Sequence, residues 1–183
     1  MTAVAPITTT GTWQIDSAHT TAQFAVRHMM VATVKGSFND VTGTATYNAD
    51  GHVEVDVSIP VATIDTRNAQ RDAHLRSPDF FDADKHPTIS FKGKRIEGNV
   101  DGKFRLIGDL TMRGVTREIA LHVTREGAGP DPYGNERMGF SATAKVNRHD
   151  FGLRWNMALE AGGVVVGDDV QISIDVELVR PLT

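Results

Sequence analysis

Residues 53–59 alternate without a fault. Val53, Val55, Val57 and Ile59 stand against Glu54, Asp56 and Ser58. Side chains of an extended chain point alternately to the two faces of a sheet, so the pattern predicts a strand with one apolar and one wet face. The same period of two returns along most of the chain. Ala22, Phe24, Val26 and His28 alternate with Gln23, Ala25 and Arg27. Phe104, Leu106, Gly108, Leu110 and Met112 share a face, as do Arg117, Ile119, Leu121 and Val123. Phe140, Ala142, Ala144 and Val146 repeat the pattern, and Ile172, Ile174, Val176 and Leu178 close it. Residues 34–47 read as a broken strand pair punctuated by Gly36 and Gly43, and Ile89 and Phe91 open a further strand. Turn chemistry falls between these runs at Asn48-Ala49-Asp50-Gly51, at Asn99-Val100-Asp101-Gly102 and at the corner 113–116. Residues 127–135, rich in Gly and Pro, read as a loop, and residues 150–169 as irregular. About eight long strands joined in sequence order by short turns suit an up-and-down antiparallel barrel better than a Greek-key sandwich.

One segment breaks the rule. Residues 63–91 hold the only stretch that reads as helix. Thr66 is the expected N-cap of a body spanning residues 68–76, with Asp72 and Arg76 at i,i+4. Ser77 is expected to cap a second short turn, with Pro78 at its first position and Asp79 in its first turn, followed by Phe80 and Phe81. Pro87 then ends the insert. A lone helical insert finishing in two aromatic residues is a candidate lid or wall for an apolar cavity. A barrel of eight strands either fills with side chains or holds one small ligand. Small residues on the apolar faces, namely Ala22, Gly108, Ala142 and Ala144, favour a cavity.

Composition narrows the function. The chain has 183 residues, enough for one domain, with residues 1–12 as a loose arm and residues 13–183 as the barrel. Its net charge of −4 argues against nonspecific nucleic-acid binding. With no cysteine there is no thiolate chemistry and no Cys-based metal site. The opening residues show no basic and apolar leader, which makes a cytoplasmic location the expectation. The longest apolar run, at residues 162–167, is far short of the ~20 residues that span a bilayer.

Catalytic motifs are sparse. The seven histidines show no metal-binding spacing, and no nucleophile elbow or phosphate loop occurs. His19 is expected to bond backbone in a polar loop. His149-Asp150 resembles a metal phosphohydrolase pair without that scaffold's further ligands. Asp72 and His74, two apart, do not face one another, and Arg71 with Asp72 is expected to tie the helix to the barrel rim. Asp168-Asp169 reads as a solvated turn. No catalytic residue, metal site or cofactor is expected.

Four stretches carry a resemblance. They are Trp13-Gln14-Ile15-Asp16-Ser17-Ala18-His19 with Phe24-Ala25-Val26-Arg27-His28, Val34-Lys35-Gly36-Ser37-Phe38, Gly108-Asp109-Leu110-Thr111-Met112-Arg113-Gly114-Val115-Thr116, and Arg148-His149-Asp150-Phe151-Gly152. Together with the insert they stand in the order found in the YceI-like proteins, a lipocalin-like polyisoprenoid-binding family that this chain resembles over residues 13–179. The resemblance implies a lipocalin-like eight-stranded barrel that stores or transports an isoprenoid lipid, such as a quinone or polyprenyl phosphate. It also implies a homodimer, a common state in the family. The residues expected to meet the ligand are Phe24, Val26, His28 and Phe38 from the first strands, and Val57 and Phe91 on either side of the insert. Ile64, Leu75, Phe80 and Phe81 come from the insert itself. Leu106, Leu110, Phe140, Ala142, Ala144 and Ile174 come from the later strands, and Trp155 from the irregular stretch. Two other readings stay open: an enzyme acting on a lipid inside the barrel with His28 or His74 as acid–base group, and a sequestering protein for hydrophobic toxins or drugs.

Overall fold

The alternating runs fold as strands, and the turns between them fix the order in which they pair. The computed structural model describes residues 8–182. The strands are β1 (Gly11–Ile15), β2 (Thr21–His28), β3 (Ala32–Phe38), β4 (Thr42–Tyr47), β5 (Val53–Pro60), β6 (Thr88–Gly98), β7 (Lys103–Met112), β8 (Val115–Pro130), β9 (Asn135–Asn147) and β10 (Val166–Pro181), with the helix α1 (Ala69–Arg76) between β5 and β6. All pairings are antiparallel. They run β1-β4-β5-β6-β7-β8-β9-β10, and β1 pairs back onto β10, which closes an eight-membered ring. The two remaining strands extend members of that ring. β2 continues β1 along the same edge of β10, with Ile15 opposite Leu178 and Thr21 opposite Asp175, and β3 pairs with β2 as β4 pairs with β1. The barrel is therefore up-and-down and closed, as the alternation and short turns predict.

The kink between β1 and β2 has a specific fastening. A short 3-10 turn, Ser17–His19, replaces the ladder there, with Asp16 capping it. The Arg137 guanidinium donates to Asp16 (2.6 Å), to Glu177 and, through Nε, to Asp131 (2.8 Å). His19 bonds the Asp16 carboxylate at 3.0 Å, not backbone as expected, because the capping carboxylate is the nearer acceptor. These hydrogen bonds from Arg137 and His19 draw the Asp16 carboxyl from 3.8 down to about 2. The same carboxylate raises His19 above 6.5. Linkage fixes the signs. The lowered Asp16 contributes stability above pH 3.8 that is lost as pH falls through about 2. The raised His19 contributes below pH 6.5 and loses that contribution as pH rises past its folded value. Arg137→Met is expected to flatten the acid limb, read as the urea midpoint between pH 5 and pH 2; an unchanged limb would assign acid sensitivity to another carboxylate.

Several local expectations are corrected. The helix is capped by Asn68, whose side chain accepts from the Arg71 N–H, and not by Thr66. Thr66 is buried and gives its N–H and hydroxyl to Asp72, which leaves Asp72 turned away from Arg76. Arg71 also bonds Thr66, through Nε to the hydroxyl and Nη2 to the carbonyl. Thr66 follows Asp65, whose backbone pairs with Ser37 of β3. The helix is thus moored to the free edge of β3 through one buried threonine. Ser77 does cap the short turn 78–81, its hydroxyl accepting from the Asp79 N–H at 3.3 Å, and it also ends α1 by donating to the His74 carbonyl at 2.6 Å. The break between β3 and β4 falls at residues 39–41 and not at either glycine. Residues 127–130 are strand, with Gly127 opposite Gly139 and Gly129 opposite Arg137 after a bulge at Arg125. β1 begins at Gly11, inside the stretch read as an arm; residues 1–7 of that arm lie outside the described residues.

Candidate functional site

Because alternate residues of the strands face inward, with the parity of β6 switching at the irregularity between Phe91 and Ile96, the barrel interior is built almost wholly from apolar side chains. It encloses a cavity of about 300 Å³. The end nearer the chain termini is walled by Trp13, Leu178 and Val53. Trp13 and Leu178 pack there with Met138 as a separate cluster, and Arg180 lies 4.0 Å over the Trp13 ring. The opposite end is walled by Leu75, Phe80 and Phe81 of the insert, with Leu153 and Arg148 from beyond β9.

The two insert aromatics part company as adjacent rings must. Phe80 is buried and turns toward His74 (ring centroids 5.1 Å) and Trp155 (5.4 Å). Phe81 is half-buried and meets Phe38 of β3 edge-on at 5.7 Å. Phe38 in turn touches Phe24. The insert therefore closes this end of the barrel by two aromatic contacts, one to the loop after β9 and one to β3.

Arg148 is the charged residue in the lining. It is 4% exposed and spends its donors on backbone carbonyls: Nε to Gly167, Nη1 to Leu153 and Trp155, and Nη2 to Val166. Burial pushes its guanidinium below the usual value, with Asp168 at 3.7 Å acting the other way. A planar fork with five N–H groups suits this task, since it gathers carbonyls from the loop after β9 and from the irregular start of β10 at once.

The expected ligand-facing residues fall into two groups. Phe24, Val26, Phe38, Val57, Leu75, Phe80, Phe81, Phe91, Leu106, Leu110, Phe140, Ala142 and Ile174 line the cavity. His28, Ile64, Ala144 and Trp155 do not. His28 ends β2 at the barrel rim, opposite Val166. Ile64 and Ala144 belong to the packed core. Trp155 stands behind Phe80 as its support, in contact with His74 at 4.8 Å. The cavity also uses residues that alternation marked but the reading left out, such as Val55, Leu121, Val123 and Ile172. Parity alone would have found them. Gly108 was read as leaving space, yet a Cβ there would sit 2.6 Å from the Phe91 ring, so the ring fills that space. Gly36 likewise lies under Phe24, where a Cβ would meet the ring at 2.4 Å.

The polar constellations have partners elsewhere. His149 bonds Asp168 at 2.7 Å and not its neighbour Asp150, and Asp169 pairs with Lys145 at 3.3 Å. His74 bonds Asp79 at 2.8 Å. Asp16, His19 and Glu177 bring three potential ligand atoms together, but the Arg137 guanidinium already supplies the positive charge that both carboxylates face.

The model of the YceI-like domain matches residues 13–178. The chain belongs to the YceI-like family. A UPF0312 protein of Staphylococcus aureus (strain N315) is 36% identical over 165 residues, covering 88% of this chain and 94% of that one. The Campylobacter jejuni YCEI protein shares 31% identity and superposes with a TM-score of 0.70 over 84% of this chain and 89% of its own. A polyisoprenoid binding domain from Saccharophagus degradans, at 14% identity, shares the fold with a TM-score of 0.69, covering 92% of this chain and 98% of that one. The YceI-like barrel of this chain is thus an all-β closed barrel whose one α-helix among the described residues sits at a cavity end. No helix among those residues is long and apolar enough to cross a membrane.

Proposed function

We propose that this YceI-like chain holds a long-chain apolar lipid, of the polyisoprenoid class, in its barrel for storage or transport; an isoprenoid quinone or a polyprenyl phosphate fits the reading. The observation that carries it is the cavity, lined along its length by inward side chains such as Val57, Phe91, Leu106 and Ile174. Its volume of about 300 Å³ lies at the small end of the usual range for ligand sites, roughly 300–1,000 Å³. Each methylene moved from water into such a lining contributes about 0.8 kcal/mol. Binding then needs no specific polar contact, although ordering of the tail offsets much of the sum. The Saccharophagus degradans domain, described as polyisoprenoid binding, supports the ligand class through a shared fold. The acid–base histidines that an enzyme would need here, His28 and His74, are not among the cavity-lining residues, which favours holding the lipid over converting it.

Mass spectrometry of organic extracts from protein purified without detergent is expected to show an isoprenoid lipid in near-stoichiometric amount. Lipid-stripped protein should take up an added isoprenoid and return it chemically intact. Ala142→Trp, which places an indole where a methyl now faces the cavity, is expected to abolish uptake while the barrel still melts cooperatively. Uptake undiminished by that change would place the lipid elsewhere, and a chemically altered product would make the protein an enzyme.

A further inference from the structure

Soluble proteins scatter their exposed apolar side chains singly; a cluster of them marks an interaction site. Among the described residues, six large hydrophobic side chains are exposed: Met29, Met30, Val31, Tyr133, Met157 and Leu182. Four of these six lie on two loops at the insert end of the barrel. Met29, Met30 and Val31, at 43%, 56% and 80% exposure, form the tip of the β2–β3 hairpin, and Met157, at 59%, lies on the neighbouring stretch between β9 and β10.

The two loops are joined and held. The Met29 N–H donates to the Val165 carbonyl at 2.8 Å, and the Val165 N–H to the Met157 carbonyl at 3.0 Å. Residues 157–165 make a small hairpin of their own, with Ala158 bridged to Val164 and Leu159 N–H bonded to Gly163. The Met30 side chain lies over Gly163. Arg27 clamps the hairpin tip by donating to the Met30 carbonyl at 2.9 Å and the Thr33 hydroxyl at 3.3 Å. The apolar side chains are therefore presented on a fixed platform.

The charges around this knob are also uneven. In residues 27–35 and 154–165 the charged side chains are Arg27, Lys35 and Arg154 against Glu160, in a protein whose net charge is −4. An apolar knob rimmed with basic residues is complementary to a bilayer surface carrying anionic headgroups. There the apolar tips enter the headgroup–acyl boundary and the basic residues meet phosphates.

We infer that the β2–β3 hairpin tip and the 157–165 loop together form a docking surface for an anionic lipid bilayer. Docking by these loops presents to the membrane the end of the barrel where Phe80, Phe81, Leu153 and Arg148 wall the cavity. The inference rests on the lipid-holding reading for why the protein would meet a bilayer, and on the knob alone for how it does so.

The test is flotation with vesicles of phosphatidylglycerol and phosphatidylcholine that contain no isoprenoid, so that cargo binding plays no part. The wild-type protein is expected to float with anionic vesicles, and less so as salt is raised or phosphatidylglycerol is omitted. The triple change Met30→Glu, Val31→Glu, Met157→Glu is expected to lower vesicle partitioning about ten-fold or more. Val31→Glu alone, at the most exposed of the four, should show a part of that loss with an unchanged melting temperature. Tyr133→Glu, at the opposite end, should float as wild type does. Failure of the wild-type protein to float overturns the inference, as does a triple variant that is folded and floats undiminished. A wild-type dimer that the triple change splits into monomers, seen by light scattering without vesicle binding, assigns the knob to a second copy and equally overturns it. Lipid extracted from the same preparations separates the two readings: cargo without flotation refutes docking alone, and flotation without cargo refutes the cavity reading alone.

Discussion

Phe80→Ala is expected to destabilise the barrel by about 3–5 kcal/mol, the usual range for removing a buried aromatic ring. Phe80 is 5% exposed and packed between the cavity, His74 and Trp155, so the truncation leaves a void beside the His74–Trp155 pair, whose rings already hold one another at 4.8 Å. For a domain of this size the loss corresponds to a fall in melting temperature on the order of 10 °C. Phe81→Ala is expected to behave differently. Its ring is half-buried and joins the insert to β3 through the edge-on contact with Phe38 at 5.7 Å. It should melt closer to wild type but release lipid faster, because loosening a wall that holds a ligand acts mainly on the off-rate. Thermal melts and lipid-release kinetics on the two single variants and the double variant check this. Equal melting losses with unchanged release would make both rings ordinary core and remove any gating role from the insert.

Arg148→Met is the second variant with a large expected effect. Methionine fills much the same volume, so the change removes donors and charge without opening a large cavity. The carbonyls of Leu153, Trp155 and Gly167 then lose the guanidinium together, while Val166 keeps the Asn156 amide at 2.7 Å. An unsatisfied buried polar group costs about 1–3 kcal/mol, and removal of one partner from a buried charged network about 3–5 kcal/mol in all. Replacing a buried ion pair by apolar residues can be harmless when both partners go, but backbone carbonyls cannot be mutated away. Arg148→Lys should recover only part of the loss, since an ammonium on a flexible stem cannot reach four carbonyls arranged for a planar fork. Hydrogen exchange should show the 153–167 segment and the start of β10 losing protection first. Full stability in Arg148→Met would mean that water satisfies those carbonyls as well as the guanidinium does.

These two sites show how far the sequence reaches. Alternation gave the inward faces except across the irregularity in β6, and the turn residues at 48–51 and 99–102 gave the order of pairing, so an up-and-down barrel was legible in the sequence. The helical insert and the strand resuming at Thr88 were legible for the same local reason: Pro87 ends one structure and Ile89 and Phe91 begin another. The cap at Asn68 was misplaced at Thr66 because both residues can accept from a helix N-terminus, and only the approach of Asp72 decided that Thr66 would be used as a donor.

The remainder depended on contacts between residues distant in sequence. Residues 127–130 look like a loop because Gly and Pro dominate, but the continuing ladder to β9 holds them as strand in solvent, where no apolar face is required. Nothing local to Arg148 signals its burial; the loop after it folds back and surrounds it with carbonyls. Gly108, read as space, is filled by Phe91 from the adjacent strand, and Gly36, read as a break in the strand, lies under Phe24. Outside the irregularity in β6, the sequence alone determined which residues face inward, because parity along a strand is a local property of the backbone. How much of the interior those side chains fill, and which end Phe80, Phe81 and Arg148 close, was decided by the tertiary structure, because packing volume and carbonyl satisfaction are set by neighbours that the closing of the ring brings together.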